Sequence, residues 1–187
     1  MIGRYADRPE KFAVALRQAG LSLVSFAFAS PSGFTLADRI DADLEIARRW
    51  IDFAAAFPGA LVSISSPTEV SEGARADKFG IAAEFCNRAG EIGRAAGVGV
   101  AMHPSSHHDT LLFDRADYDR FFALLDLGLV GWVPDTGHIL RGGHDMADTL
   151  ATYRDRIRYL HLKDVDQDGR WAMLGKGVCD TQAVIDL

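Results

Sequence analysis

Five short apolar runs, each separated from the next by a helix-length amphipathic stretch, restrict what this chain can fold into more than any other feature. The runs begin near residues 21, 60, 98, 129 and 157. Intervals of roughly 28 to 39 residues leave room for one helix and two loops, the content of a right-handed parallel βαβ unit. The predicted strands cover 21–29, 60–65, 98–102, 129–133 and 157–162. The predicted helices cover 8–19, 37–57, 76–96, 115–125, 146–153 and 181–187. In the second helix Ile40, Leu44, Ala47, Ile51 and Ala54 recur at helical spacing, and Pro58-Gly59 ends it. Ile81, Phe85, Ala89, Ile92 and Ala96 do the same in the third, which stops at Gly97.

Near-continuous apolar strands belong to a parallel sheet covered on both faces. A doubly wound open sheet and a (β/α)₈ barrel both satisfy this. The first strand is followed by Ser30-Pro31-Ser32-Gly33 and not by G-x-G-x-x-G, which counts against a dinucleotide-binding open sheet. Polar groups at three successive strand ends count for the barrel, where loops on the C-terminal face carry the chemistry. A complete barrel takes about 250 residues. A single domain of 187 residues, 1–187, is therefore expected to be an incomplete barrel with terminal strands missing. Either it is a piece of a longer chain, or it closes its open edges against a partner, a homo-oligomer being one such arrangement.

The three strand ends are Met102-His103, Val133-Pro134-Asp135 and Leu160-His161. Each places an acid or an imidazole directly after buried residues, and such groups from neighbouring strands can share one divalent metal. His103, Asp135 and His161 are the candidate ligands. Asp is also the residue type that caps a following turn, so Asp135 has a structural reading beside the chemical one. His138 is a candidate to orient another ligand, to contact substrate or to bind a second metal. Lys163 is placed to stabilise an anionic oxygen or move a proton, or else to pair with Asp164. His107 and His108, in the loop after His103, suit a polyol because imidazole both accepts and donates hydrogen bonds. Trp171 is a candidate pocket wall, and Trp132 a core residue. Gly175-Lys176-Gly177 offers amides for a phosphate, although it lacks the Walker A spacing. His144, between Gly142-Gly143 and Asp145, is expected in a flexible loop facing solvent.

Composition narrows the function. A net charge of -6 weighs against a general nucleic-acid binder. No apolar run is long enough to span a membrane, and Met1-Ile2-Gly3-Arg4 does not begin a signal peptide, so a cytoplasmic protein without membrane contact is expected. Cys86 and Cys179, the only cysteines, form neither a disulfide framework nor a thiolate metal site.

His103-Pro-Ser-Ser-His107-His108, Pro134-Asp135-Thr136-Gly137-His138, His161-Leu162-Lys163-Asp164-Val165 and Leu174-Gly175-Lys176-Gly177 with Asp180 together resemble the xylose isomerase-like TIM-barrel superfamily. This is the sugar phosphate isomerase/epimerase group that includes inosose dehydratases. The resemblance implies one divalent metal, Mn²⁺ first, with Co²⁺, Mg²⁺ and Zn²⁺ as alternatives. An acid, an Asp, a His and a final Glu from four consecutive strands would hold it. It makes Asp135 and His161 the middle two ligands. This chain departs at the first position, where His103 stands, and the final Glu would lie beyond Leu187.

The chemistry so implied is proton transfer next to the carbonyl of a small sugar or polyol through an enediolate, giving isomerisation or epimerisation. Expulsion of a β-hydroxyl instead gives an inosose dehydratase-like lyase. His138 and Lys163 are the catalytic candidates that orient substrate oxygens. His107, His108, Arg170 and Trp171 are the substrate-binding ones, Arg170 facing a phosphate or carboxylate. Two other readings stand beside these. One is an endonuclease IV-like DNA repair enzyme, which shares the Asp-Thr-x-His element. The other is a truncated, non-catalytic barrel.

Overall fold

The computed structural model describes residues 2–107 and 109–187. After a 3₁₀ turn, helix α1 (Pro9–Gln18) leads into strand β1 (Ser25–Phe28). Then alternate α2 (Ile40–Ala55), β2 (Leu61–Ser65), α3 (Arg75–Ala96), β3 (Gly99–His103), α4 (Arg115–Leu124) and β4 (Val130–Trp132). The four strands form one parallel sheet in the order β1-β2-β3-β4, as consecutive βαβ units require.

The sheet's two faces differ in side-chain size. Val62, Ile64, Val100, Met102, Val130 and Trp132 are buried in a core shared with α2, α3 and α4. The intervening residues turn to the other face. There Ala27, Ser63, Ala101 and Gly131 lie in register across all four strands. This row of small side chains contrasts with the bulky branched layers that fill many closed barrels. Helix α3 lies close on the sheet because Gly93 lacks a side chain. A Cβ there would meet Val100 Cγ2 at 2.5 Å and the Val98 carbonyl at 2.7 Å.

The first predicted strand is shortened to Ser25–Phe28, with Leu21 and Val24 exposed on the edge of the sheet. The fifth is not a regular strand. Residues 157–161 run beside β4 through parallel bridges at Trp132↔Ile157 and Asp135↔His161. Between these bridges the first side advances three residues and the second four. The extra residue is a bulge, which breaks the ladder and reverses the facing of the residues after it.

Two elements appear where loops were expected. Three residues separate the start of helix α5 (Thr136–Arg141) from the end of β4. After α6 (Met146–Thr152), residues 164–172 form a small antiparallel hairpin, β5 (Asp164–Val165) with β6 (Trp171–Ala172). Helix α7 (Thr181–Asp186) comes next. His144 is buried and not solvated, its ring 4.5 Å from that of Tyr118 and its Nε2 3.1 Å from the Phe113 carbonyl. Cys86 is fully buried, and burial pushes its thiol well above the usual range. No described helix is long and apolar enough to cross a membrane.

Candidate metal centre

Asp135 divides its two oxygens between structure and site. Oδ1 accepts the His138 N–H at 3.2 Å and caps α5. Oδ2 faces Lys163 Nζ at 2.9 Å, His103 Nε2 at 3.4 Å and His161 Nδ1 at 3.6 Å. The capping and the chemical readings of Asp135 are thus compatible, one on each oxygen. The carboxylate is buried. Burial alone would push its pKa up, but hydrogen bonds from His103 and Lys163 and the nearby charges outweigh it. They hold the carboxyl well below the usual range, so it stays ionised.

Each of the three sequence-predicted ligands arrives by a different local device. His103 is the last residue of β3, two residues beyond Ala101, and faces the same side of the sheet. Asp135 follows β4 after Val133 and Pro134, bridged to His161. His161 owes its direction to the bulge: four residues beyond Ile157, regular alternation would turn it towards the helix layer, where Ile157 packs. The candidate ligand atoms of His103, Asp135 and His161 lie within 4.8 Å of one another, the one such trio among the described residues. Two ligands each ~2.1 Å from a common ion sit about 3 to 3.4 Å apart at the usual angles. The distances of 3.4 and 3.6 Å are close to that, and long for tight hydrogen bonds. The donor set therefore fits a divalent cation. Burial, then the nearby His103, lowers the His161 pKa, which favours the neutral imidazole that ligates metal.

The remaining candidates surround this trio. The His138 ring lies 5.9 Å from His103, 5.1 Å from His107 and 5.0 Å from Trp171. Its Nδ1 accepts the Ser106 N–H at 3.0 Å, so the neutral ring carries its proton on Nε2. Burial, against the pull of Asp135, pushes its pKa down to about 3. Lys163 pairs with Asp135 and not with Asp164. Trp171 lies against the start of α5, where a Cβ on Gly137 would meet its ring at 2.7 Å. His107 is exposed. Arg170 is exposed at the hairpin tip and paired with Asp168 at 2.9 Å. His108 lies outside the described residues.

The Gly175 and Gly177 amides serve an anion that the chain itself supplies, while the Lys176 N–H donates to the Met173 carbonyl. Asp164 Oδ2 accepts the Gly175 and Gly177 N–H groups at 3.0 and 2.9 Å, and Oδ1 accepts those of Val165 and Cys179 at 2.9 Å. The expectation of a phosphate there gives way to an internal carboxylate, held below the usual range by these bonds, that of Cys179 foremost. Three contributors carried no sequence signal of their own. Ser106 sets the His138 tautomer. Thr136 Oγ1 accepts the Lys163 N–H at 2.8 Å and ties α5 to the segment carrying Lys163. Arg141, at the end of α5, sits over Trp171.

A family model described as xylose isomerase-like TIM barrel matches residues 2–187, and the chain belongs to that family. Over 82 residues it is 40% identical to the inosose dehydratase of Geobacillus kaustophilus, a match spanning 44% of this chain and 26% of that protein. The fold resembles 3-keto-D-glucoside 4-epimerase from E. coli with a TM-score of 0.78 at 16% identity, covering 97% of this chain and 72% of that one. It also resembles an IOLI protein solved with a zinc atom, with a TM-score of 0.78 at 14% identity, covering 99% and 70%. The relatives are enzymes of small sugars and polyols, and the four-stranded sheet is part of the barrel they share.

Proposed function

We propose that this chain carries the core of a metal-dependent sugar or sugar phosphate isomerase/epimerase, acting by proton transfer next to a carbonyl. The observation that carries the reading is the convergence of His103, Asp135 and His161 from three adjacent strand ends. The zinc atom of the IOLI structure supports a resident divalent cation, Mn²⁺ being the first candidate. Bound by these three residues, a divalent cation would supply Lewis-acid stabilisation of the negative charge that grows on oxygen as the α-proton leaves.

The α-proton passes to a carboxylate base outside the trio, while His138, Lys163 and Trp171 position the substrate and supply hydrogen bonds and a proton to its oxygens. His138 presents a neutral Nε2–H, held in that tautomer by Ser106, and donates a hydrogen bond to a substrate oxygen. Its low pKa keeps it a donor rather than an acid at neutral pH. Lys163 carries a positive charge beside Asp135 and is positioned to hand a proton to a substrate oxygen. Trp171 walls one side of the site, its ring 5.0 Å from that of His138 and 5.0 Å from Lys163 Nζ. Returning the proton to the other carbon or the other face completes isomerisation or epimerisation through an enediolate.

A dehydratase is the second reading, favoured by the 40% identity to an inosose dehydratase. In it, Lys163 would protonate the departing β-hydroxyl. Titration calorimetry with Mn²⁺, Co²⁺, Zn²⁺ and Mg²⁺ on the parent chain and on Asp135→Ala/His161→Ala tests the site. One ion bound by the parent and lost in the variant supports it, and binding that survives in the variant refutes it. Turnover of keto-sugars and inososes in D₂O then separates the readings. Isomerase or epimerase action puts deuterium on carbon with no loss of water, whereas a dehydratase releases water.

A further inference from the structure

We infer that Arg141 and Trp171 form an anion subsite at the rim of this centre, so that the substrate is an anionic sugar derivative, bearing a phosphate or carboxylate at the end remote from the reacting carbons. The inference rests on the functional reading above and adds to it the charge of the substrate.

The Trp171 ring borders both the centre and Arg141. One edge of its surroundings is the catalytic cluster, with His138 at 5.0 Å and Lys163 Nζ at 5.0 Å from the ring centroid. The Arg141 guanidinium lies 4.8 Å from the same centroid. Lys163 and Arg141 are therefore no further apart than the sum of those two distances, about 10 Å, a span within reach of an extended sugar phosphate. Trp171 is 48% exposed, although Gly137 lets its ring lie close on α5, so an apolar surface beside both cations is open to a ligand.

The charges are arranged unequally. Lys163 is already paired with Asp135 at 2.9 Å, and Arg170 with Asp168 at 2.9 Å. Arg141 makes no ion pair and no side-chain hydrogen bond among the described residues. The guanidinium lies over the Trp171 ring and none of its N–H groups is spent on an acceptor among the described residues, so they remain for a phosphate or carboxylate, which arginine can take in a bidentate grip. Arg141 is also held in place: it ends α5, the helix that Asp135 caps and that carries His138, and its Cγ lies 4.0 Å from where a Cβ on Gly169 would be. The same short helix thus fixes a metal-ligand candidate, a hydrogen-bond donor and a free cation relative to one another.

The test uses glucose, glucuronate and glucose 6-phosphate, which differ only at the sixth carbon, and reads binding by titration calorimetry on the Mn²⁺-loaded chain. Both anionic probes, or one of them, should bind at least tenfold more tightly than glucose, with an advantage that shrinks at high salt. Glucuronate and glucose 6-phosphate distinguish carboxylate from phosphate. Arg141→Met should bring the anionic probes down to the level of glucose, and Arg141→Lys should restore part of the difference. Equal binding of all three probes by the parent chain, no binding of either anion, or a preference that persists in Arg141→Met would overturn the inference. Mn²⁺ affinity, measured separately, keeps the two proposals distinct. It should be unchanged in Arg141→Met and lost in Asp135→Ala, so a failure of the metal reading shows in the second variant alone.

Discussion

Lys163 is the internal competitor for the cation that Asp135 would bind. Its ammonium sits 2.9 Å from Asp135 Oδ2, the oxygen that also faces both imidazoles. A charge-assisted hydrogen bond of this kind contributes about 1.5 to 3 kcal/mol. The lysine side chain is 44% exposed, which argues for the lower end. A divalent cation must displace or tolerate that ammonium, so replacing it by methionine should tighten Mn²⁺ binding. At about 1.4 kcal/mol per decade, the gain is roughly tenfold in Kd. The metal-free variant should show the opposite effect, since Asp135 is left buried without its ammonium. A loss of about 1.5 kcal/mol lowers Tm by roughly 3 to 6 °C in a chain of this size. Mn²⁺ should restore it. Calorimetry and thermal melts with and without Mn²⁺ read both effects. If Lys163 also moves a proton, turnover should fall by roughly 10²-fold or more in the variant that binds metal more tightly. Unchanged Mn²⁺ affinity together with an unchanged metal-free Tm would refute this role for Lys163.

Three other perturbations have defined outcomes. Burial lowers the His144 pKa below its ordinary 6.5, so below that pH the unfolded chain takes up a proton that the folded chain refuses. Stability should therefore fall as pH drops from 7 to 5, and melts of His144→Gln should show a shallower fall. Gly177→Ala would place a Cβ 2.1 Å from the Val165 carbonyl and 2.3 Å from Asp164 Oδ1, so limited proteolysis should open the 173–180 loop in that variant while the parent resists. Deleting Tyr159 removes the bulge between the two bridges and should turn His161 towards the helix layer, abolishing Mn²⁺ binding. Retained affinity would show that the extra residue does not set the facing of His161.

The strand ends are legible in the sequence because apolar runs stop abruptly at His103, Asp135 and His161, and burial on one side of such a stop is a strong constraint. What escapes is local geometry that composition does not encode. Helix α5 follows Pro134 and contains Thr136 and Gly137, poor helix formers, and is held by the Asp135 cap and the Thr136 link to Lys163. The bulge is a difference of one residue in register, invisible in a run that reads as apolar throughout. His144 follows two glycines and reads as solvated, yet Tyr118 and the Phe113 carbonyl enclose it. The amides of the Gly175-Gly177 loop read as an anion cradle, and they are one. Their anion is hidden from sequence, because Asp164 reaches the loop only through the hairpin.

The order of these dependencies gives the site its logic. Asp135 Oδ1 must cap α5 for His138 and Arg141 to be where they are, and only then is Oδ2 left facing the two imidazoles. A substitution such as Asp135→Asn would keep an oxygen for the cap while removing the charge, whereas Asp135→Ala removes both. The two should separate: Asn retains α5 and loses metal affinity, and Ala also loses about 1 kcal/mol of stability through the missing cap. A capped helix carrying a neutral Nε2–H donor, next to an ionised carboxylate neutralised by lysine, is a site organised before any cation or substrate arrives. That pre-organisation is what proton transfer beside a carbonyl requires, since donors fixed in advance need not reorient as charge develops.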